Sequence, residues 1–136
     1  MDVKGAARDD GAAAILWPWS GATNQQWRLL PASGSAYWIV SVNSGKLLDS
    51  PGGSGRGAGL DQWSDTSSDN QWWQVVPISG DVCRLVNVRT GWCAEAENGS
   101  AADGARVVQN PYTGGVPPAV APRRRLTRDQ GGQPET

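Results

Sequence analysis

The sequence NQQWRL at residues 24–29 returns as NQWWQV at residues 70–75, and this places Trp27 and Trp73 46 residues apart. A period of this length is typical of folds that stack several copies of one small unit. One such unit buries too little apolar surface to fold alone, so neighbouring units must share a core. About three periods fit within the 136 residues of the chain. The repeat therefore predicts a domain of three similar lobes.

Other landmarks follow the same period. Trp17 and Trp63 are 46 residues apart, each of them upstream of an NQxW segment, and Gly45 and Gly91 show the same spacing. A β-propeller blade has a similar length, but a propeller closes with four or more blades. Three lobes therefore favour a β-trefoil over a propeller.

Composition indicates short strands rather than helices. The chain has 18 Gly, 9 Pro, 8 Trp and no Phe, and Gly and Pro at this density interrupt long helices and favour tight turns. In the second repeat, an alternating apolar pattern and an Asn-Ser-Gly turn indicate hairpins. The four strands predicted there are residues 37–42, 46–50, 60–63 and 71–76. The expected fold class is all-β.

Several classes of function are disfavoured by what the chain lacks. It has no His, the commonest general base and metal ligand, and its 2 Cys cannot form a four-Cys metal site. No Gly-rich phosphate-binding loop is present. No two of the 13 Asp and Glu stand out as a raised-pKa pair for hydrolysis. We therefore expect a protein that is not an enzyme, with no metal and no cofactor.

Charge and hydropathy disfavour two kinds of partner. A net charge of −1 gives no field to attract nucleic acid, and the Arg-rich run at residues 123–128 is interpreted as part of a solvated tail. No apolar run approaches the roughly 18 residues needed to span a bilayer. The first residues also lack the apolar stretch of a signal peptide. We expect neither a nucleic-acid nor a membrane partner, and secretion only as part of a longer parent protein.

The motifs together resemble a known family. The chain has a Leu48-Asp49 step, two NQxW segments 46 residues apart, and a tryptophan before each of these segments. This combination resembles the ricin B-type β-trefoil lectins, also called family 13 carbohydrate-binding modules. The resemblance covers about residues 1–115 and implies that Trp27 and Trp73 lie in the shared core. The implied lobes are residues 1–34, 35–80 and 81–115, and residues 116–136 remain as a Pro-, Arg- and Gly-rich tail with predicted disorder.

The resemblance also implies a shallow sugar site in a lobe. An Asp after the second strand accepts bonds from sugar hydroxyls, an aromatic ring at the end of the third strand stacks on the sugar, and the Asn-Gln pair assists. Such groups suit sugars on chemical grounds, since an indole covers an apolar C–H face and carboxylates and amides bind hydroxyls. The candidate residues are Asp2, Trp17, Asn24 and Gln25 in lobe one, and Asp49, Trp63, Asn70 and Gln71 in lobe two.

Two departures and an alternative accompany these sites. A Gln that the family often has two residues before the ring is Ile15 in lobe one and Asp61 in lobe two. Alternatively, the tryptophans pack under loops and the aspartates cap turns.

The expected partners are galactose-, xylose- or arabinose-type glycans. The alternative function is a structural or protein-binding trefoil with vestigial sugar sites.

Lobe three breaks the pattern, and lobe one starts late. Glu95 takes the Asp position, Asn110 takes the aromatic position, and Pro118-Ala119-Val120 stand where a QxW strand is expected. Lobe one lacks about a dozen residues that would form its first strand. We therefore expect an incomplete trefoil, which is a fragment, a chain completed by a partner or a mispredicted gene. Unpaired strand edges of this kind favour association.

The two cysteines leave one question open. Cys83 and Cys93 flank a predicted hairpin, so they form a disulfide or remain as two thiols. In the family that the chain resembles, the position of Cys93 often pairs with one that is Tyr112 here. That bridge is therefore not expected.

Overall fold

The computed structural model describes residues 1–51 and 55–112, together with the backbone of Leu126–Arg128. Regular structure in these ranges consists of β-strands and 3₁₀ turns, so the expected all-β class is confirmed. The strands are β1 Asp2–Val3, β2 Ala14–Ile15, β3 Trp27–Ser33, β4 Ala36–Ser41, β5 Leu47–Asp49, β6 Asp61–Trp63, β7 Trp73–Ser79, β8 Val82–Asn87, β9 Cys93–Ala96, β10 Val107–Asn110 and β11 Leu126–Arg128. The 3₁₀ turns are Lys4–Ala6, Thr23–Gln25, Asp69–Gln71 and Glu97–Gly99.

Lobe two has the four strands that the sequence predicts, β4 to β7, with most boundaries shifted by one to three residues. Its last strand begins at Trp73 rather than at the predicted residue 71, because Asp69–Gln71 forms a 3₁₀ turn. The turn directs the side chains of Asn70 and Gln71 into the protein, where both are buried. A continuous strand would have placed these two neighbours on opposite faces.

The long strands form one sheet in which β8, β7, β4 and β3 are neighbours in that order. Two antiparallel hairpins, β3–β4 and β7–β8, have the same internal register and the same irregularity near a proline, at Pro31 and Pro77. Tyr37 of β4 pairs with Trp73 of β7, and this pairing joins the two hairpins. The repeat seen in the sequence is therefore a repeat of backbone geometry.

Three short hairpins, β1–β2, β5–β6 and β9–β10, close one end of the domain. They meet through backbone bonds, since the amide of Ala14 donates to Leu60 O at 3.0 Å and the amide of Leu60 donates to Val107 O at 2.9 Å. These three residues are equivalent positions of the three lobes, and all are buried. The arrangement has the approximate threefold symmetry of a trefoil.

The core lies between the sheet and the hairpins. Trp27 and Trp73 are 1% and 0% exposed, which confirms that the QxW tryptophans are core residues. Each indole N–H is satisfied, because Trp27 donates to Met1 O at 3.2 Å and Trp73 donates to Leu48 O at 2.9 Å. Each of these tryptophans therefore joins its own strand to the short hairpin of its lobe.

The short strand β11 lies within the tail that the sequence predicts to be disordered. It runs parallel to β3, with Leu126 opposite Trp27, so one edge of the long sheet is paired by the chain itself. Residues 113–125 and 129–136, which include the predicted replacement of the QxW strand at residues 118–120, lie outside the described residues. Among the described residues, no helix has the length and apolar character that a membrane crossing requires.

The two cysteines are free thiols. Cys93 pairs with Val86, which is three residues along β8 from Cys83. Three strand residues span about 10 Å, more than the roughly 7 Å that a disulfide tolerates between Cα atoms. The disulfide alternative is therefore wrong, and burial raises the pKa of both thiols.

Candidate functional site

Lobe one holds a buried carboxylate that is bonded by two amides. Asp2 lies on β1, and the 3₁₀ turn Thr23–Gln25 brings two amide side chains to it. Asn24 Nδ2 donates to Asp2 Oδ1 at 3.1 Å, and Gln25 Nε2 donates to Asp2 Oδ2 at 2.9 Å. Burial raises the pKa of Asp2, and the Gln25 hydrogen bond offsets part of this effect. Three of the four predicted lobe-one residues are thus in direct contact.

Gln25 connects this carboxylate to the loop that follows the fourth predicted residue, Trp17. Its Nε2 also donates to Pro18 O at 2.9 Å, and its Oε1 accepts from the Ser20 amide at 2.7 Å. The side chain is 2% exposed. Because both ends of the amide are used inside the protein, Gln25 acts as a clamp between the carboxylate and the loop.

Lobe two repeats this arrangement. Asn70 Nδ2 and Gln71 Nε2 each donate to Asp49 at 3.1 Å. Gln71 also donates to Ser64 O at 2.9 Å and accepts from the Thr66 amide at 2.9 Å, so it clamps the loop after Trp63 just as Gln25 clamps the loop after Trp17. The structure therefore brings the predicted acid and amides of lobe two together as well.

In lobes one and two the aromatic residue is at the surface, two residues after the one that pairs with the buried aspartate. Trp17 and Trp63 are 53% and 40% exposed. Trp63 ends β6, which pairs with the strand that carries Asp49. A solvent-exposed indole on a rigid strand can stack on the apolar face of a ligand.

Trp63 is supported by a turn of lobe one. Asp10 Oδ1 accepts from the amide and hydroxyl of Ser64 at 2.9 and 2.8 Å, and the hydroxyl bond holds the pKa of Asp10 below its usual range. Gly11 has a φ of +87°, and a Cβ there would lie 3.5 Å from Trp63 Cζ3. The turn at Asp10 and Gly11 thus lies against the indole.

One carboxylate in lobe two has no counterpart in lobe one. Asp61 lies opposite Asp49 across β5 and β6, where Ile15 lies opposite Asp2 in lobe one. Desolvation, the neighbouring Asp49 carboxylate and the charge of Asp10 raise the pKa of Asp61 to about 8. The sequence marks Asp61 only as a departure from Gln. The antiparallel register of the two predicted strands was the signal that could have identified the pair.

Two buried glutamines were missed by sequence reasoning. Gln62 donates from Nε2 to the carbonyl oxygens of Ala7 and Asp9 at 3.0 and 2.9 Å, and Gln109 donates to Gly55 O at 3.0 Å. Each directly precedes the aromatic position of its lobe. The repeat did not reveal them because lobe one has an apolar residue there.

Lobe three has the replacements that the sequence indicates. Glu95 lies opposite Val108, in the register that places Asp49 opposite Asp61. Asn110 Nδ2 donates to Glu95 Oε2 at 3.1 Å, so an amide stands where the other lobes have an exposed indole. Among the described residues, no group of three or more His, Cys, Asp or Glu is arranged to hold a metal ion.

Comparison with known proteins places this geometry in context. The family model of ricin-type β-trefoil lectin-like domains matches residues 1–59 and residues 23–110. A search of curated proteins finds no significant match. A designed threefold symmetric protein, ThreeFoil, is 40% identical, with 84% of this chain and 82% of that chain covered and a TM-score of 0.81.

Two natural proteins have similar structures. An exo-β-1,3-galactanase from Clostridium thermocellum is 28% identical, with a TM-score of 0.82 over 85% of this chain and 25% of that chain. This chain therefore spans about a quarter of the galactanase. The Rhizoctonia solani agglutinin is 15% identical, with a TM-score of 0.70 over 86% of this chain and 80% of that chain, and it shares the fold.

Proposed function

The chain belongs to the family of ricin-type β-trefoil lectin-like domains, and we propose that it is a non-catalytic carbohydrate-binding module with sugar sites in lobes one and two. The family and the similarity to part of a galactanase support a carbohydrate-binding role. The observation that carries the two-site proposal is a solvent-exposed indole beside a buried carboxylate–amide cluster, at equivalent positions of two lobes.

Each proposed site combines stacking with directed hydrogen bonds. The Trp17 or Trp63 ring covers the apolar face of a pyranose. A carboxylate has about four acceptor positions, and the amides use two of those on Asp2, so capacity remains for sugar hydroxyls. Such bonds to an ionised acceptor are stronger than neutral ones.

The amide pair has two different roles in this proposal. Asn24 donates both Nδ2 hydrogens inside the protein, to Asp2 and to Val3 O, which leaves its Oδ1 to accept from a sugar hydroxyl. Gln25 uses both its nitrogen and its oxygen internally. We therefore assign Gln25, and Gln71 in lobe two, a positioning role for the acid and the loop.

Affinity at each site is expected to be weak, because one shallow site contacts few atoms of a sugar. A dissociation constant of about 0.1–1 mM corresponds to roughly −4 to −5.5 kcal/mol. Two sites on one rigid domain bind a polymer more tightly, since the second contact becomes intramolecular. Galactose-, xylose- and arabinose-based glycans are the ligands to test, β-1,3-galactan first because of the galactanase relative.

The test is calorimetric titration of these glycans into the wild type, Trp17→Ala, Trp63→Ala and the double variant. Each single variant is expected to lose one site and the double variant all measurable binding. Val88→Ala, which trims another exposed apolar side chain, is the control and should bind normally. Unchanged polysaccharide affinity in the double variant would refute the proposal.

The alternative, a protein-binding trefoil with vestigial sugar sites, is favoured by one observation. In lobe three the carboxylate of Glu95 is bonded by Asn110 with no indole at that position, so one lobe has already lost the arrangement. A glycan array in which the wild type binds no member would support this alternative. We further propose that the domain acts within a longer secreted protein.

A further inference from the structure

The position two residues after the stacking tryptophan differs between the lobes. It is Trp19 in lobe one and Asp65 in lobe two. Trp19 is 47% exposed and is separated from the 53% exposed Trp17 only by Pro18. Single exposed apolar residues are common on protein surfaces, but two exposed indoles next to one polar cluster form a larger aromatic surface.

The backbone around this position is fixed in the same way in both lobes. In lobe one, Gln25 bonds Pro18 O at 2.9 Å and the Ser20 amide at 2.7 Å, the groups on either side of Trp19. In lobe two, Gln71 bonds Ser64 O and the Thr66 amide, both at 2.9 Å, on either side of Asp65. The clamp is the same in both lobes, while the residue that it holds is an indole in lobe one and a carboxylate in lobe two.

The clamp gives Trp19 a defined position relative to the proposed sugar site. Its loop is bonded to the buried Gln25, and Gln25 is bonded to Asp2. Proline also fixes the backbone φ angle of residue 18. The residue before a proline is confined to extended backbone, and Cα atoms two residues apart in an extended chain are separated by about 7 Å, so the two indoles are close neighbours.

We propose that Trp19 forms a second stacking subsite, so that lobe one binds two consecutive sugar rings where lobe two binds one. This inference rests on the proposed function and names the ligand class of lobe one as an oligosaccharide. Asp65 cannot provide such a surface, because it is a carboxylate that accepts from the Ser67 amide at 2.8 Å.

The experiment isolates lobe one and exchanges the residues between lobes. In a Trp63→Ala background, which silences lobe two, calorimetry compares a monosaccharide with its trisaccharide: galactose with β-1,3-galactotriose, xylose with xylotriose, arabinose with arabinotriose. The trisaccharide is expected to bind about 5- to 10-fold more tightly. Adding Trp19→Asp should remove this preference and leave monosaccharide affinity within about twofold.

The reciprocal exchange is the matched control. In a Trp17→Ala background, which leaves lobe two, adding Asp65→Trp should create a preference for the trisaccharide. Equal losses of monosaccharide and trisaccharide affinity in Trp19→Asp would overturn the subsite, as would an unchanged preference. A wild type that binds none of these sugars would instead reject the proposed function itself. Thermal unfolding of each variant checks that the fold is intact.

Discussion

Lobes one and two hold the same acid in different surroundings. In lobe one each oxygen of Asp2 accepts from one amide, and the residue across the hairpin is Ile15. In lobe two both amides bond the same oxygen of Asp49, and the residue across the hairpin is Asp61. The comparison teaches that the repeat fixes the backbone register and the glutamine clamp, while single substitutions set the polarity of each site.

The largest expected effect tests whether the two sites depend on one scaffold. Trp73→Ala removes a fully buried indole that donates to Leu48 O, so it should cost about 3–5 kcal/mol of unfolding free energy. Urea unfolding measures this cost, and sugar binding should fall in both lobes together. The control, Trp63→Ala, removes an exposed ring and should cost less than about 1 kcal/mol. Loss of binding in lobe two alone would show that the lobes are independent.

A smaller effect should separate the lobes. Gln71→Leu removes the clamp and leaves the Thr66 amide and Ser64 O without their partner. Unsatisfied groups of this kind cost about 1–3 kcal/mol each. Calorimetry should show weaker binding in lobe two with lobe one unchanged, and Gln25→Leu should give the mirror result. Normal binding in lobe two despite reduced stability would remove Gln71 from the positioning role.

A pH-dependent effect concerns the acid that only lobe two has. The pKa of Asp61 is raised to about 8. Its contribution to the free energy of unfolding is therefore fully present below the pKa that Asp61 has in the unfolded chain. This contribution is lost as the pH rises through the pKa of the folded protein. Wild-type melting temperature should therefore decrease between about pH 4 and pH 8 more than that of Asp61→Asn. Thermal melts of both proteins at several pH values measure the difference. Parallel pH profiles would show that Asp61 titrates normally.

Much of the fold follows from the sequence because its repeat is a repeat of hydrogen-bonded geometry. The NQxW segments predict both buried tryptophans and, through the family resemblance, the Asp49, Asn70 and Gln71 cluster. The start of β7 differs from the prediction because Asn70 and Gln71 lie in a 3₁₀ turn and donate to the buried Asp49, which is a tertiary contact. A local sequence pattern does not predict such a contact.

Other features of the sites depend on the three-dimensional arrangement. Trp19 does not recur at the period, so the repeat does not single it out, and only its exposure together with the Gln25 clamp sets it apart. Gln62 recurs only as Gln109 of lobe three, and lobe one has the apolar Leu16 in its place. Departures from a repeat are therefore where site chemistry is hardest to predict from sequence.

The packing of Trp63 against the turn at Asp10 and Gly11 matters for protein engineering. The lobe-two ring rests on a turn that a different repeat supplies. A single repeat transplanted into another scaffold would bring its tryptophan and lose the support beneath it. Donor segments for grafting the lobe-two surface should therefore be cut across the repeat boundary, so that Trp63 is kept together with the turn at Asp10 and Gly11.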